Sequence, residues 1–341
     1  MSSGLYDRPR TAGGKFAPAG ASTPPTAAPA QNDAAAALAA AMAQMVAGLR
    51  PEGLDAIAAQ MADVAARLAA VEAAAPRVVQ YQIGNAAPGP VVKNARPELD
   101  RLMRLAVAAA PARRNFWLYG PPGTGKSVLA STAAQSLGLS FTEIQVNVAT
   151  TPAAIIGSAT ADGTWVEPEF VRSWELGGVI LLDELTTNQD LCGALNNALA
   201  NGTLAIGRHH DAARRSIPRH RDCYVIVADN TTGRGNSGGT LTRCRLDAAN
   251  IDRFIGRFLF VGYWKELEAR LAGSLADHLW ALRDTLATAW PVTTRTFTAA
   301  ADYLAAGWNE TETAAQLLHG AEPAVLDKAR LTSSFWKEAL S

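Results

Sequence analysis

Apolar residues fall into three regimes along this chain. From Asp33, a plausible N-cap, Leu38, Met42, Met45, Val46 and Leu49 share one helical face; Arg50-Pro51-Glu52-Gly53 then interrupts the pattern. Leu54, Ile57, Met61, Val64, Leu68 and Val71 follow in alternating steps of three and four. This spacing predicts a helical hairpin or coiled coil over 32–76, either packed on itself or docking a second copy or a partner. Further on, the apolar residues come as short continuous runs, which predict strands at 115–119, 141–147, 179–182, 224–228 and 258–263. Runs without polar alternation fit strands buried on both faces, so the expected fold class is α/β: a mainly parallel five-stranded sheet flanked by helices. After Trp264 the pattern is helical to the end, with Leu267, Leu271, Leu275, Leu279, Leu282 and Leu286 marking one helix before Pro291.

The flanks complete the division. Residues 1–31 are rich in Pro, Gly, Ala, Ser and Thr and offer too little apolar surface to offset chain entropy, which predicts a disordered arm. A short strand over 77–83 and a Gly/Pro linker over 84–90 make up a connecting stretch, 77–94. Pro97 opens a helix through about 109, with Leu99, Leu102, Met103 and 105–107 facing inward. The sheet domain spans 95–263 and the helical domain 264–341.

Composition changes little. Lys and Arg number 31, as do Asp and Glu, so overall charge argues for no nucleic-acid, membrane or acidic partner. Cys192, Cys223 and Cys244 lack metal-ligand spacing and fit a reduced cytoplasmic compartment. The start does not read as a signal peptide, and 34–47 is too short and alanine-rich to span a bilayer, so a soluble protein is expected.

The chemistry concentrates at two strand ends. Gly120-Pro121-Pro122-Gly123-Thr124-Gly125-Lys126-Ser127 follows an apolar strand and precedes a helix that opens near Val128, the setting of a phosphate loop. Its glycines let backbone N–H groups curl round a phosphate, Lys126 reaches the β and γ oxygens of ATP, and the Ser127 hydroxyl can ligate Mg²⁺. The run 179–182 ends in Asp183 and Glu184. Asp183 can hold the Mg²⁺ shell and Glu184 can polarise a water for attack on the γ-phosphate; alone, such carboxylates also terminate strands for solubility.

With these features the chain resembles the AAA+ ATPases, and more narrowly the MoxR group with the small ATPase subunit of cobaltochelatase (CobS-like) and its phage-encoded relatives. Ile156-Gly157-Ser158, Ala161-Asp162-Gly163-Thr164-Trp165 and Glu169-Phe170-Val171 are similar to that clade's helix 2 insertion. Asn230-Thr231-Thr232-Gly233-Arg234-Gly235 is similar to sensor 1, whose Asn helps hold the attacking water. Leu246 to Phe254 resembles the arginine-finger segment, which implies Arg253 acting in trans, with Arg257 a rival; Thr293-Thr294-Arg295 resembles sensor 2. The resemblance implies a P-loop AAA+ domain with a helical lid, ATP and Mg²⁺ as ligands, a hexameric ring, and a client that in relatives is often a von Willebrand factor A domain protein or a metal chelatase. A bacterial or bacteriophage source fits the composition. Asp229 departs from the small residue usual before the sensor asparagine, and could repel the γ-phosphate or pair with an arginine.

Other readings remain beside the ring motor. The segment 208–221 holds Arg208, Arg214, Arg215, Arg219 and Arg221 against Asp211 alone. In the hairpin before sensor 1 it could grip nucleic-acid phosphates or an acidic partner, or form a solvated or intersubunit salt-bridge zone. A nucleotide-gated scaffold with little turnover is the third reading.

Overall fold

The apolar runs pair into one parallel sheet. The computed structural model describes residues 61, 78–82, 89–93, 95–207, 209–234, 245–287 and 289–341. In it β1 (Asn115–Tyr119), β2 (Phe141–Gln145), β3 (Gly178–Asp183), β4 (Cys223–Asp229) and β5 (Phe258–Phe260) lie in the order β5-β1-β4-β3-β2. The three inner strands are almost wholly buried, as their unbroken apolar runs require. The edge strands end earlier than expected, β2 at Gln145 and β5 at Phe260. Their partners stop there: Gln145 pairs with Asp183, the last residue of β3, and Phe260 with Tyr119, the last of β1.

Helices α1 (Pro97–Ala108), α2 (Lys126–Leu137), α3 (Glu169–Leu176) and α4 (Gln189–Asn201) accompany the sheet. In α1 Leu99, Leu102, Met103 and Ala106 are buried, whereas Val107 turns outward at 40% exposure, one residue past the apolar stripe. One core cluster packs Trp117, Ile180, Leu182, Val225 and Val227 of the strands against Phe170, Trp174, Leu191 and Leu195 of α3 and α4. The segment quoted for the clade's insertion holds an antiparallel pair, 158–159 with 165–166, between a short helix (Pro152–Ile156) and α3.

The C-terminal region is helical, with α5 (Lys265–Ala272), α6 (Leu275–Leu286), α7 (Thr294–Ala305), α8 (Glu310–Leu317), α9 (Pro323–Thr332) and α10 (Ser334–Ala339). The leucine series expected to form one helix is split between α5 and α6. Gly273, at φ 56°, ends α5, and the chain restarts after Ser274 with Leu275, Leu279, Leu282 and Leu286 still buried in the second core.

The chain divides into two units, 1–68 with 80–89 and 69–79 with 90–341. In the first, the Gly89 N–H donates to the Tyr81 carbonyl at 2.7 Å and Gln80 Nε2 to the Gly89 carbonyl at 2.7 Å. The strand expected over 77–83 is Val79–Gln80. The expected arm over 1–31, and the helical module over 32–76 apart from helical Met61, lie outside the described residues. Among the described residues no helix is long and apolar enough to cross a membrane.

Candidate functional site

The loop between β1 and α2 is shaped by two glycines that nothing larger could replace. At Gly120, φ 151°, a Cβ would stand 2.2 Å from the Val261 carbonyl oxygen; at Gly123, φ 69°, it would stand 2.6 Å from the Thr293 side chain. The end of β5 and the start of α7 therefore both press on the loop. Helix α2 opens at Gly125 without a side-chain cap, which leaves its first N–H groups for an anion. Lys126 is 8% exposed, and its Nζ donates to the carbonyls of Gly120 (3.1 Å) and Pro121 (2.9 Å) and to Oδ1 of Asn230 (2.9 Å). Ser127 Oγ donates to Asp183 Oδ2 at 3.1 Å.

Parallel pairing of β3 and β4 sets Asp183 opposite Ala228, and the next N–H, that of Glu184, donates to the Ala228 carbonyl at 2.8 Å. Glu184 sits in the left-handed region at φ 61°, unusual for a side-chain-bearing residue and a conformation that clusters where function holds the backbone in strain. Burial raises the Asp183 carboxyl above its ordinary 3.8; the Ser127 hydroxyl opposes this, the Glu184 charge adds to it, and Lys126 lowers it again. Asp229, 1% exposed, acts on structure. One of its oxygens accepts from the Thr186 N–H (3.1 Å) and hydroxyl (2.7 Å), the other from the Thr231 N–H (3.1 Å) and hydroxyl (3.3 Å). Its lone pairs brace the loop after β3 against the segment carrying Asn230.

These residues line one cavity of about 400 Å³, which brings together Lys126, Ser127, Asp183, Glu184, Asn230 and Arg295. Arg295 stands on the first turn of α7 and makes no hydrogen bond or ion pair among the described residues, so its charge is available. Behind it Thr294 Oγ1 donates to the fully buried Glu268 at 2.8 Å, which also accepts from Trp280 Nε1 (2.9 Å) and from Arg283 (2.7 and 3.0 Å). The Arg283 guanidinium lies 3.7 Å over the Tyr263 ring, whose hydroxyl donates to the Pro122 carbonyl at 3.3 Å. A continuous set of contacts thus runs from the lid to the phosphate loop.

Sequence reasoning missed this set, and also Arg96. Nearly buried, Arg96 donates to the Thr124 and Gly262 carbonyls and pairs with Glu98, tying the chain before α1 to the loop and to the end of β5. The only local signal was its place before Pro97. Arg253 and Arg257 lie elsewhere, in a second cleft of about 380 Å³ that shares no lining residue with the first.

The basic segment forms the outer arm of an antiparallel pair, 203–205 with 216–218. Much of its charge is used internally: Arg214 pairs with Glu167 and Glu175, and Arg219 donates to Asn115 and the Arg114 carbonyl beneath the Trp174 ring. Arg221 stays 83% exposed beside Asp222. Arg208, Gly235 and Cys244 lie outside the described residues; Cys192 and Cys223 are buried and are in no disulfide among the described residues.

The site's donors suit a magnesium nucleotide. Loop, uncapped helix and Lys126 suit phosphates, and the Ser127 hydroxyl and Asp183 carboxylate are the hard oxygen donors Mg²⁺ takes alongside phosphate oxygens. Among the described residues no group of three His, Cys, Asp or Glu offers an all-protein metal cage.

Three comparisons bear on the assignment. Residues 115–254 match the family model described as AAA domain (dynein-related subfamily). No curated protein matches the chain. Of the solved structures, a point mutant of RuvB from Thermotoga maritima matches at 17% identity over 72% of each chain, with a TM-score of 0.39, a likeness too slight to bear on function. Sheet order, phosphate loop and family match agree on a P-loop AAA+ fold, with residues 115–254 similar to the AAA domain model.

Proposed function

We propose that this protein hydrolyses ATP in a homo-oligomeric ring, hexameric by the AAA+ pattern, and uses the cycle to remodel or activate a partner protein. The observation that carries this reading is the convergence of Lys126, Ser127, Asp183, Glu184 and Asn230 on one cavity beneath the lid residue Arg295. Lys126 and the loop N–H groups hold the β and γ phosphates, and Arg295 reaches the same nucleotide from α7. Mg²⁺, held by Ser127 and Asp183, would neutralise charge on the β and γ oxygens. Glu184 accepts a proton from the attacking water as the new oxygen–phosphorus bond forms. The bond from the γ-phosphorus to the bridging oxygen breaks, leaving ADP and inorganic phosphate. Asn230 orients the water, and its contact with Lys126 links that position to the phosphates.

A cation from a neighbouring copy, Arg253 or Arg257, would complete the charge stabilisation and make turnover depend on assembly. The MoxR-like or CobS-like subgroup, and a von Willebrand factor A domain or chelatase client, belong to this proposal; the 158–166 hairpin supports the former. Two observations favour the motor over its rivals. The Asp229 oxygens are engaged by Thr186 and Thr231, which removes the reason to expect blocked turnover. Arg214 is paired with Glu167 and Glu175 and Arg219 is turned inward on Asn115 and the Arg114 carbonyl, so neither is presented to DNA.

The test is mass by light scattering together with phosphate release, for wild type and Glu184→Gln, with and without ATP. Wild type should assemble and turn over; Glu184→Gln should assemble on ATP and lose turnover by about 10²-fold or more. A wild type that binds no nucleotide would sink the reading.

A further inference from the structure

The carbonyl side of the phosphate loop is held from outside the loop. Arg96 directly precedes α1 and is only 7% exposed, so its guanidinium must find its partners within the protein. Nε and Nη2 donate to the two Glu98 oxygens at 2.9 and 3.0 Å, Nη2 also to the Gly262 carbonyl at 2.9 Å, and Nη1 to the Thr124 carbonyl. Nη1 also lies against Gly125, where a Cβ would stand 3.4 Å from it. The Thr124 hydroxyl is tied as well, donating to the Pro121 carbonyl at 3.0 Å. Gly262 follows Val261, whose own carbonyl stands against Gly120. One guanidinium therefore fastens the second half of the loop to the strand end that closes on its first half. Arg96, Thr124 and Gly125 all line the nucleotide cavity.

We propose that Arg96 is a positioning residue for nucleotide binding: it sets the Thr124–Gly125 peptide so that the loop grips the β-phosphate, and Glu98 holds it in place to do so. This rests on the ATPase reading above and adds to it a residue outside the loop. The peptide unit is planar and trans, so its carbonyl and its N–H point opposite ways. With the Thr124 carbonyl taken by Arg96, the Gly125 N–H faces away from the guanidinium. Gly125, the N-cap of α2 at φ 81°, has no side chain of its own to fix that peptide. Without Arg96 the unit is free to rotate, and one N–H of the anion-binding nest is misdirected. Attraction of the phosphates by charge is not the role. Glu98 neutralises the guanidinium, and Nε and both terminal nitrogens are committed to protein oxygens. The loop grips the β-phosphate in ATP and ADP alike, so the effect falls on binding rather than on the chemical step.

The experiment uses the full chain as wild type, Arg96→Ala, Arg96→Lys and Glu98→Gln. Competition against a fluorescent ATP analogue measures ATP, ADP and AMP binding, and phosphate release gives KM and kcat. Arg96→Ala should weaken ATP and ADP by about tenfold or more, as expected for a lost charge-assisted contact, and AMP by less than about twofold. KM should rise by a similar factor while kcat at saturation stays within about threefold, because ground state and transition state lose the same contact. Arg96→Lys, a point charge that cannot bridge two carbonyls and a carboxylate at once, should recover only part of the affinity. Glu98→Gln should weaken ATP and ADP by about threefold, since it loosens the guanidinium without removing it. An equal loss for ATP, ADP and AMP would place Arg96 on the base or ribose, and a loss for ATP alone would place it on the γ-phosphate; either overturns the proposal. A lowered Tm with unchanged affinities, the signature of a purely structural ion pair, overturns it too. If Arg96→Ala does not fold, Arg96→Lys and Glu98→Gln decide by the same comparison of ATP and ADP with AMP. A wild type that binds no ATP marks failure of the ATPase reading; a wild type that binds and hydrolyses ATP while the variants match its affinities marks failure of the Arg96 role alone.

Discussion

Nζ of Lys126 lies 2.9 Å from Oδ1 of Asn230, joining the phosphate loop to the end of β4 across 104 residues. The contact splits two functions that sequence assigned separately. Lys126→Ala should abolish binding of a fluorescent ATP analogue, because the charge that meets the phosphates is gone. Asn230→Ala should leave binding near wild type and lower turnover by about 10²-fold, the usual cost of one well-placed polar group at a reacting centre. Parallel titration and phosphate-release assays separate the outcomes; loss of binding in Asn230→Ala would show that it holds the lysine in place instead.

Asp183 is held in a charged form that the folded protein disfavours. Burial raises its pKa above 3.8, so the folded state binds this proton more readily than the unfolded chain. The associated stability is present at low pH and lost as pH rises through the raised value. Asp183→Asn should therefore raise the Tm of the nucleotide-free protein at pH 7, keep the Ser127 hydroxyl satisfied, and lose Mg²⁺-dependent turnover. The gain should shrink as pH falls through the raised value toward the unfolded chain's 3.8, because the folded aspartate is then protonated. Calorimetric scans between these limits check the sign.

Asp229 predicts a stability defect rather than a catalytic one. Asp229→Ala would strand the buried N–H and hydroxyl of Thr186 and free the Thr231 segment, at a cost of roughly 3 kcal/mol for unpaired buried donors. Asp229→Asn keeps an acceptor oxygen and should cost less than half as much, about 1 kcal/mol. Chemical denaturation of both variants gives the comparison, and an Asp229→Ala protein of wild-type stability would refute the brace.

The lid network predicts coupling. Thr294 Oγ1 donates to Glu268 beside Arg295, and Glu268 is the buried partner of Arg283. Thr294→Val should weaken nucleotide affinity about fivefold, and combined with Arg295→Ala should add little, because both changes act on one contact. Breaking the buried pair with Arg283→Ala should cost about 3–5 kcal/mol by leaving Glu268 uncompensated. A binding cycle of single and double variants, with denaturation curves, tests both statements.

The chain's own order of residues fixed a good deal. Strand positions, the phosphate loop and the acidic strand end are local: an apolar run of five cannot be left in water, a glycine-rich turn before a helix has few other uses, and each is read from neighbours in sequence. Where local signals competed, the reading slipped. The leucine series kept its period through Gly273 and looked like one helix, since periodicity does not register a single residue at positive φ. The five arginines of 208–221 looked like a charged surface, because charge is visible in sequence and its partners Glu167, Glu175 and Asn115 are not.

Only the tertiary structure decided which distant groups meet. The β5-β1-β4-β3-β2 order puts Asn230 beside Lys126 and the end of β5 against Gly120, and the lid's packing sets Thr293 on Gly123. Arg113 and Arg257 share a cleft although 144 residues separate 113 from 257, and Asp229 is a brace because Thr186 and Thr231 reach it. Sequence determines local conformation through steric and solvation preferences that act over a few residues. Charge, strain and hydrogen-bond satisfaction depend on what packs across space, and those determine what each side chain is free to do.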